Sequence, residues 1–155
     1  MAAVQLYLVQ HGQAQTKEED AERPLTDQGV DDVAGVARHA VGGLGVGAAR
    51  VVHSGKTRAR QTAEIWGGLL DADVDEADAL APNDDPSTWV GRLEAETEDL
   101  MVVGHLPHLG RLAALLLTGD ADRAVIRFRP GGLIGFERVG AGNCVVPGQA
   151  VFRHS

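Results

Sequence analysis

Short apolar runs alternate with stretches of helical spacing along most of the chain, and any fold must first accommodate that alternation. Val4 to Val9 is a β-rich run that stops at His11-Gly12. A polar loop follows through Arg23. Thr26 then reads as an N-cap two residues after Pro24, and Val30, Val33, Val36, Ala37 and Ala40 recur at helical spacing until Gly42 to Gly47 closes the helix. Ala49 to His53 is a second strand. Ser54 reads as the N-cap of a helix over Thr57 to Leu70, with Ala59, Thr62, Ala63, Trp66 and Leu70 on one side. Val74 begins a short strand, with Leu80 and Pro82 in the loop after it. Pro86 and Ser87 open a helix that carries Trp89, Val90 and Leu93 on one face. Leu100 to Gly104 is another strand, ending at His105, and His108 to Leu117 reads as a buried helix. Ala124 to Phe128, Leu133 to Glu137 and Gln149 to Phe152 read as strands joined by Gly-rich turns.

Strands that alternate with helices call for a mostly parallel sheet covered on both faces. The expected fold is therefore α/β: a single three-layer α/β/α domain over residues 1–155, with an antiparallel edge strand from the C-terminal segment. A chain of 155 residues suits one such domain. Its apolar fraction of 44% is enough for a core, and with aromatics at 4% that core must be mostly Val, Leu, Ile and Ala.

The net charge of −8 argues against nucleic acid as a partner, because nucleic-acid phosphates would be repelled. The acidic runs Glu18 to Glu22, Asp71 to Asp78 and Glu94 to Asp99 read as solvated faces. Against that background, a basic residue held in a cleft is a local exception. Cys144 is the only cysteine, so no internal disulfide forms, and with no base beside it the thiol reads as incidental. The opening MAAVQLYLVQHG lacks a basic n-region and reads as a first strand rather than a signal peptide. No segment reaches the length of a membrane span. The expected location is cytoplasmic, with no membrane partner.

In open α/β sheets, ligands bind beyond the carboxyl ends of the strands. Three predicted strands end on polar residues there: Gln10-His11-Gly12, His53-Ser54 running into Arg58, and Gly104-His105. Phosphoryl transfer fits this set. Arg58 in a first helical turn offers a planar fork of donors, and the free N–H groups of that helix point to the same place. A neutral imidazole can attack phosphorus, and a second, protonated one stabilises charge on the oxygens. The set lacks the clustered carboxylates or Cys of a catalytic metal site, so no metal and no other cofactor is expected.

Four blocks of this chain resemble the histidine phosphatase superfamily, and they come in that family's order. Leu8-Val9-Gln10-His11-Gly12-Gln13-Ala14 resembles its Arg-His-Gly opening, and Arg23-Pro24-Leu25-Thr26-Asp27-Gln28-Gly29 its Pro-Leu-Thr-x-x-Gly helix start. Ser54 to Ala63 resembles its Ser-Pro-x-x-Arg-Ala-x-Gln-Thr-Ala segment, and Val102 to Pro107 its late Gly-His motif. Length and the His-Leu-Pro sequence are most similar to the small bacterial phosphohistidine phosphatases, which have no helical lid.

The resemblance implies a cofactor-independent phosphatase acting on a phosphoprotein or a small phosphorylated substrate. His11 would be the nucleophile and Arg58 a phosphate ligand. His105 would be a second pocket histidine, held cationic against the phosphate. Gln10 and Gly12 would complete the phosphate site, with Ser54 and His108 as candidates for its rim. Thr26, Asp27 and Gly29 would serve helix capping.

Two departures qualify this. Gln10 stands where the family usually has Arg, which removes a full charge. Losing such a donor is worth on the order of 10²–10³ in rate. His53, Lys56, Arg60 and His108 are candidate replacement cations, although a helix-start His108 facing solvent is the plainer reading. The family's general acid aligns with Ala79, leaving Asp78, Asp84 and Asp85 as substitutes that read more simply as loop or cap residues. A missing acid favours labile phosphoryl donors such as phosphohistidine. The alternative is a catalytically weak or inactive phosphate-binding domain, with a metal-dependent hydrolase a distant third.

Overall fold

Alternate residues of the central strands face opposite helical layers, as strands buried on both sides must. The computed structural model describes residues 3–138, 144–145 and 150–151. Its strands are β1 (Val4–Gln10), β2 (Arg50–His53), β3 (Asp73–Glu76), β4 (Leu100–Gly104), β5 (Leu133–Arg138), β6 (Cys144–Val145) and β7 (Ala150–Val151). They form one sheet in the order β3-β2-β4-β1-β5-β6, with β7 paired to β5. The pairs among β1 to β4 are parallel, whereas β5 joins β1 antiparallel and carries β6 and β7 antiparallel in turn. A mostly parallel sheet with an antiparallel end is what the element order called for.

On one face, Tyr7, Val9, Val51, Met101 and Val103 pack against helices α1 (Asp27–Gly43) and α2 (Thr57–Leu70), which contribute Val33, Val36, Ala37, Ala63 and Trp66. On the other, Leu6, Leu8, Val52, Leu100 and Val102 meet Trp89 and Leu93 of α3 (Ser87–Ala95) and Leu109 and Leu112 of α4 (His108–Thr118). Each such side chain taken out of water contributes on the order of 1.5–3 kcal/mol. Among the described residues no helix stands apart from these four as a lid, and none is long and apolar enough to cross a membrane.

The helix ends refine the sequence reading. Thr26 caps α1 as expected, its hydroxyl accepting the Gly29 N–H at 2.9 Å. The helix runs through Gly42 and Gly43 rather than stopping there, because the first left-handed residue that lets the chain leave is Gly45, at φ +70°. Ser54 does not cap α2. That place falls to Lys56, with no side-chain bond, because Ser54 lies two residues too early. The end of α3 is closed from the sheet: Arg138 of β5 donates to the carbonyls of Leu93, Glu94 and Glu96.

Ala124 to Phe128 is not a strand. Phe128 is buried and Ile126 partly buried against the α3–α4 layer, so packing alone satisfies their apolar pattern. Of the strand expected over Gln149 to Phe152, Ala150–Val151 is present, and its two outer residues lie outside the described ones. Cys144–Val145 was not expected as a strand, being too short for any periodicity.

Two glycines of α1 make opposite demands. A Cβ on Gly29 would stand 2.2 Å from the Gln13 carbonyl oxygen, whereas one on Gly35 meets nothing within 4 Å. Gly29→Ala is therefore expected to destabilise by about 1–3 kcal/mol through overpacking. Gly35→Ala is expected to stabilise by about 0.5–1 kcal/mol through helix propensity. Thermal melts of the two variants should move Tm in opposite directions, by roughly 2–4 °C per kcal/mol for a chain of this size.

Candidate active site

Neighbouring parallel strands bring two histidines together. Gln10 of β1 is in register with Gly104 of β4, and the His11 N–H extends the ladder by donating to the Gly104 carbonyl at 3.1 Å. His11 and His105 thus emerge side by side, with ring centroids 5.0 Å apart and planes inclined by 51°. From the end of β2, Ser54 Oγ lies 2.6 Å from His105 Nε2. Arg58 follows in the first turn of α2. All of this lies at the carboxyl edge of the sheet, where such folds place ligands.

A carbonyl only accepts hydrogen bonds, so the 2.7 Å contact between His11 Nδ1 and the Gly12 carbonyl places a proton on Nδ1. In the neutral ring, the Nε2 lone pair is then free. The Gly12 N–H donates to Thr62 Oγ1 at 3.0 Å, and the Thr62 hydroxyl donates to the Arg58 carbonyl at 2.8 Å. Thr62 therefore couples the histidine loop to the turn that carries Arg58. The loop passes close enough to α1 that a Cβ on Gly12 would meet Val33 Cγ2 at 2.7 Å.

Burial sets the protonation states. It lowers His11 to about 4, with the charges of Arg58 and Arg23 adding to the effect and the Gly12 bond opposing it. His105 is lowered to about 3 by burial, then by His11, Arg58 and Lys56. In the protein alone its imidazole is therefore neutral, whereas the expected cationic state is one held against a bound phosphate. Burial, then Arg23, also lowers Arg58, although a guanidinium stays charged. Arg58 Nε, His105 Nδ1 and Gln10 Oε1 are buried without a hydrogen-bond partner.

The other candidates divide sharply. His108 does not face solvent and does not form a rim. It is fully buried, both ring nitrogens lack partners, burial holds its pKa down, and its backbone N–H is tied to the Pro82 carbonyl at 3.0 Å. His53 is buried and its Nδ1 accepts the Gly55 N–H at 3.0 Å. Arg60 pairs with Glu64 at 3.1 Å on the surface. Lys56 alone of the four replacement cations lines the groove beside Arg58, a space of about 380 Å³ also bordered by Lys17, Glu22, Arg23 and Pro82. Arg23 escaped the sequence reading, although it stands directly before the Pro-Leu-Thr block.

The acidic candidates are occupied elsewhere. Asp78 pairs with Arg92 at 2.8 Å, Asp84 accepts the Ala81 N–H at 2.9 Å, and Asp85 accepts the Ser87 N–H at 2.9 Å. None of them lines the groove. Among the described residues, no three His, Cys, Asp or Glu side chains converge as a metal-ligand set.

The sequence matches the histidine phosphatase superfamily (branch 1) over residues 6–102. No curated protein matches it. In structure it is similar to the protein histidine phosphatase SixA complexed with tungstate, at a TM-score of 0.81 and 27% identity over 92% of this chain and 94% of that one. The protein assigned as the phosphohistidine phosphatase SixA of Nakamurella multipartitia has a TM-score of 0.81 at 22% identity, over 100% of this chain and 99% of that one. The alpha-ribazole phosphatase of Shigella flexneri has a TM-score of 0.76 at 16% identity, over 92% and 94%. These last two show the fold alone. With the family match running from β1 into β4 across the strand ends that carry His11 and Arg58, the chain belongs to the histidine phosphatase superfamily and is a phosphatase of its branch 1.

Proposed function

We propose that the protein hydrolyses a labile phosphoryl group, phosphohistidine on a signalling protein or a small phosphoester, through a phosphohistidine formed on His11. The observation that carries this reading is the state of His11. Its Nδ1 is held by the Gly12 carbonyl at 2.7 Å and its pKa is about 4, so Nε2 is an unprotonated nucleophile at neutral pH.

In the first step the Nε2 lone pair forms the N–P bond, while the bond from phosphorus to the leaving group breaks and its electron pair departs with that group. In the second, water attacks phosphorus, orthophosphate leaves and neutral His11 returns. Arg58 and the N-terminal amides of α2 balance the charge on the phosphoryl oxygens. His105 begins neutral and takes up a proton when the dianion arrives, because an opposite charge favours the cationic ring. Ser54, bonded to His105 Nε2, fixes the orientation of that ring.

The substrate class follows from the acids. Asp78, Asp84 and Asp85 are engaged in pairs and turns, so protonation of the leaving group falls to water. An imidazole leaves under those conditions far more readily than an alkoxide. A groove without a helical lid also suits a phosphoryl group presented on a protein. The 27%-identical relative is a protein histidine phosphatase holding tungstate, a tetrahedral oxyanion, which supports the same class. A cytoplasmic setting belongs to this proposal. Binding without turnover is the competing reading, and Gln10 is what recommends it.

His11→Ala should reduce hydrolysis of an aryl phosphate to background, and rapid acid-free quench of the wild type should trap phosphate on His11 as an acid-labile adduct. Hydrolysis that survives the substitution would show that this mechanism is wrong. The pH profile gives a second test. Because kcat/KM reports the free enzyme, its acid limb should fall near pH 4 rather than near the ordinary imidazole value, once the ionisation of the substrate is allowed for. Activity is retained above that limb and lost as His11 takes up its proton below it.

A further inference from the structure

We propose that Arg23 is the second guanidinium of the phosphate site, supplying from the loop after β1 the charge that Gln10 does not supply. The inference rests on the reading of His11, Arg58 and His105 as a phosphoryl site.

Arg23 borders the same groove as Arg58. The loop is pinned to the segment that starts at His11: Ala14 bridges Leu25, the Gln15 N–H donates to the Pro24 carbonyl at 2.8 Å, and Arg23 Nε donates to the Gln15 carbonyl at 3.0 Å. The backbone of Arg23 is left-handed, at φ +49°. An arginine disfavours that conformation, and one preceding proline is normally extended. Strain of this kind persists where the surroundings over-determine it, commonly at ligand sites.

The charge balance points the same way. Arg23 forms no ion pair among the described residues, nor does Arg58. The nearby Glu22 is turned to the Thr57 hydroxyl at 3.4 Å. Arg23 lowers the pKa of both His11 and Arg58, so its field reaches the pocket. The one carboxylate that lines the groove, Glu22, is engaged by the Thr57 hydroxyl and ion-pairs with neither guanidinium, so Arg23 and Arg58 are left to an anion, and a tetrahedral dianion offers enough oxygens to engage both. Gln10 has an amide in place of the usual charge, and its Oε1 has no partner. The deficit at Gln10 and the unneutralised charge at Arg23 are thus complementary.

The test uses orthophosphate binding by calorimetry and aryl phosphate hydrolysis, on the wild type, Arg23→Gly, Arg23→Lys and the double variant Gln10→Arg/Arg23→Gly. Glycine adopts the left-handed backbone freely, so Arg23→Gly removes the side chain while leaving Tm unchanged or raised. The expected result is a loss of about 10- to 100-fold in orthophosphate affinity for Arg23→Gly, the scale of one charge-assisted bond. Arg23→Lys should lie between, and Gln10→Arg should restore binding in the Arg23→Gly background to within a few fold of wild type. If wild type binds orthophosphate and Arg23→Gly binds it equally well, the inference about Arg23 is overturned while the phosphatase reading stands. If wild type neither binds orthophosphate nor turns over, the phosphoryl site itself is refuted and Arg23 with it.

Discussion

Two imidazoles stand with centroids 5.0 Å apart at the ends of neighbouring parallel strands, and in the protein alone both are neutral. Burial is the main cause of that neutrality, and the cations around them reinforce it. A protonated His11 would lose its lone pair and repel Arg58. The same surroundings that keep the rings neutral are hospitable to an anion, because the groove beside them collects Lys17, Arg23, Lys56 and Arg58 against a single carboxylate, Glu22. Such preorganised charge does its work without reorganising during the reaction. The protein carries a net charge of −8, so this local excess is a property of the site and not of the chain.

The backbone makes that arrangement rigid. The Gly12 carbonyl selects the His11 tautomer, while the Gly12 amide reaches Thr62 and through it the first turn of α2. Gly12 therefore sets both the protonated nitrogen of His11 and its relation to Arg58. Gly29 performs a similar service one layer away, where its missing side chain admits the Gln13 carbonyl against α1. The loop from His11 to Thr26 is thereby fixed by helices at both ends, and Arg23 sits within it.

The layered fold was legible because strands buried on both faces must be mainly apolar, as β4 is throughout and β1 is from Leu6 to Val9. His11, Arg58 and His105 were legible because each follows such a run or opens the next helix. What escaped was whatever depends on three-dimensional return. Ser54 has the look of a helix cap, and only the β2–β4 pairing reveals that its hydroxyl meets His105. His108 is a polar residue at a helix start, a position that reads as exposed, yet the loop around Pro82 covers it. Arg23 carries no local signal beyond its place before Pro24, and its left-handed backbone is invisible in the sequence. Ala124 to Phe128 misled in the opposite sense, since an alternating pattern can be satisfied by packing on helices without any strand partner.

The position aligned with the family's acid has its own physical logic. Ala79 adopts a left-handed backbone, at φ +60°, and the carboxylates around it are all committed: Asp78 to Arg92, Asp84 to the Ala81 amide, Asp85 to Ser87. Freeing Asp84 or Asp85 would break a turn or loosen the start of α3, and freeing Asp78 would break its surface ion pair with Arg92. The loop is built as a structural support rather than as a proton donor. With no positioned acid, the barrier to expelling a poor leaving group stays high, whereas an imidazole needs little help. On the proposed mechanism the pocket would discriminate by the basicity of the group it must expel, which would make the loss of an acid a source of selectivity for labile phosphoryl donors rather than simply a defect.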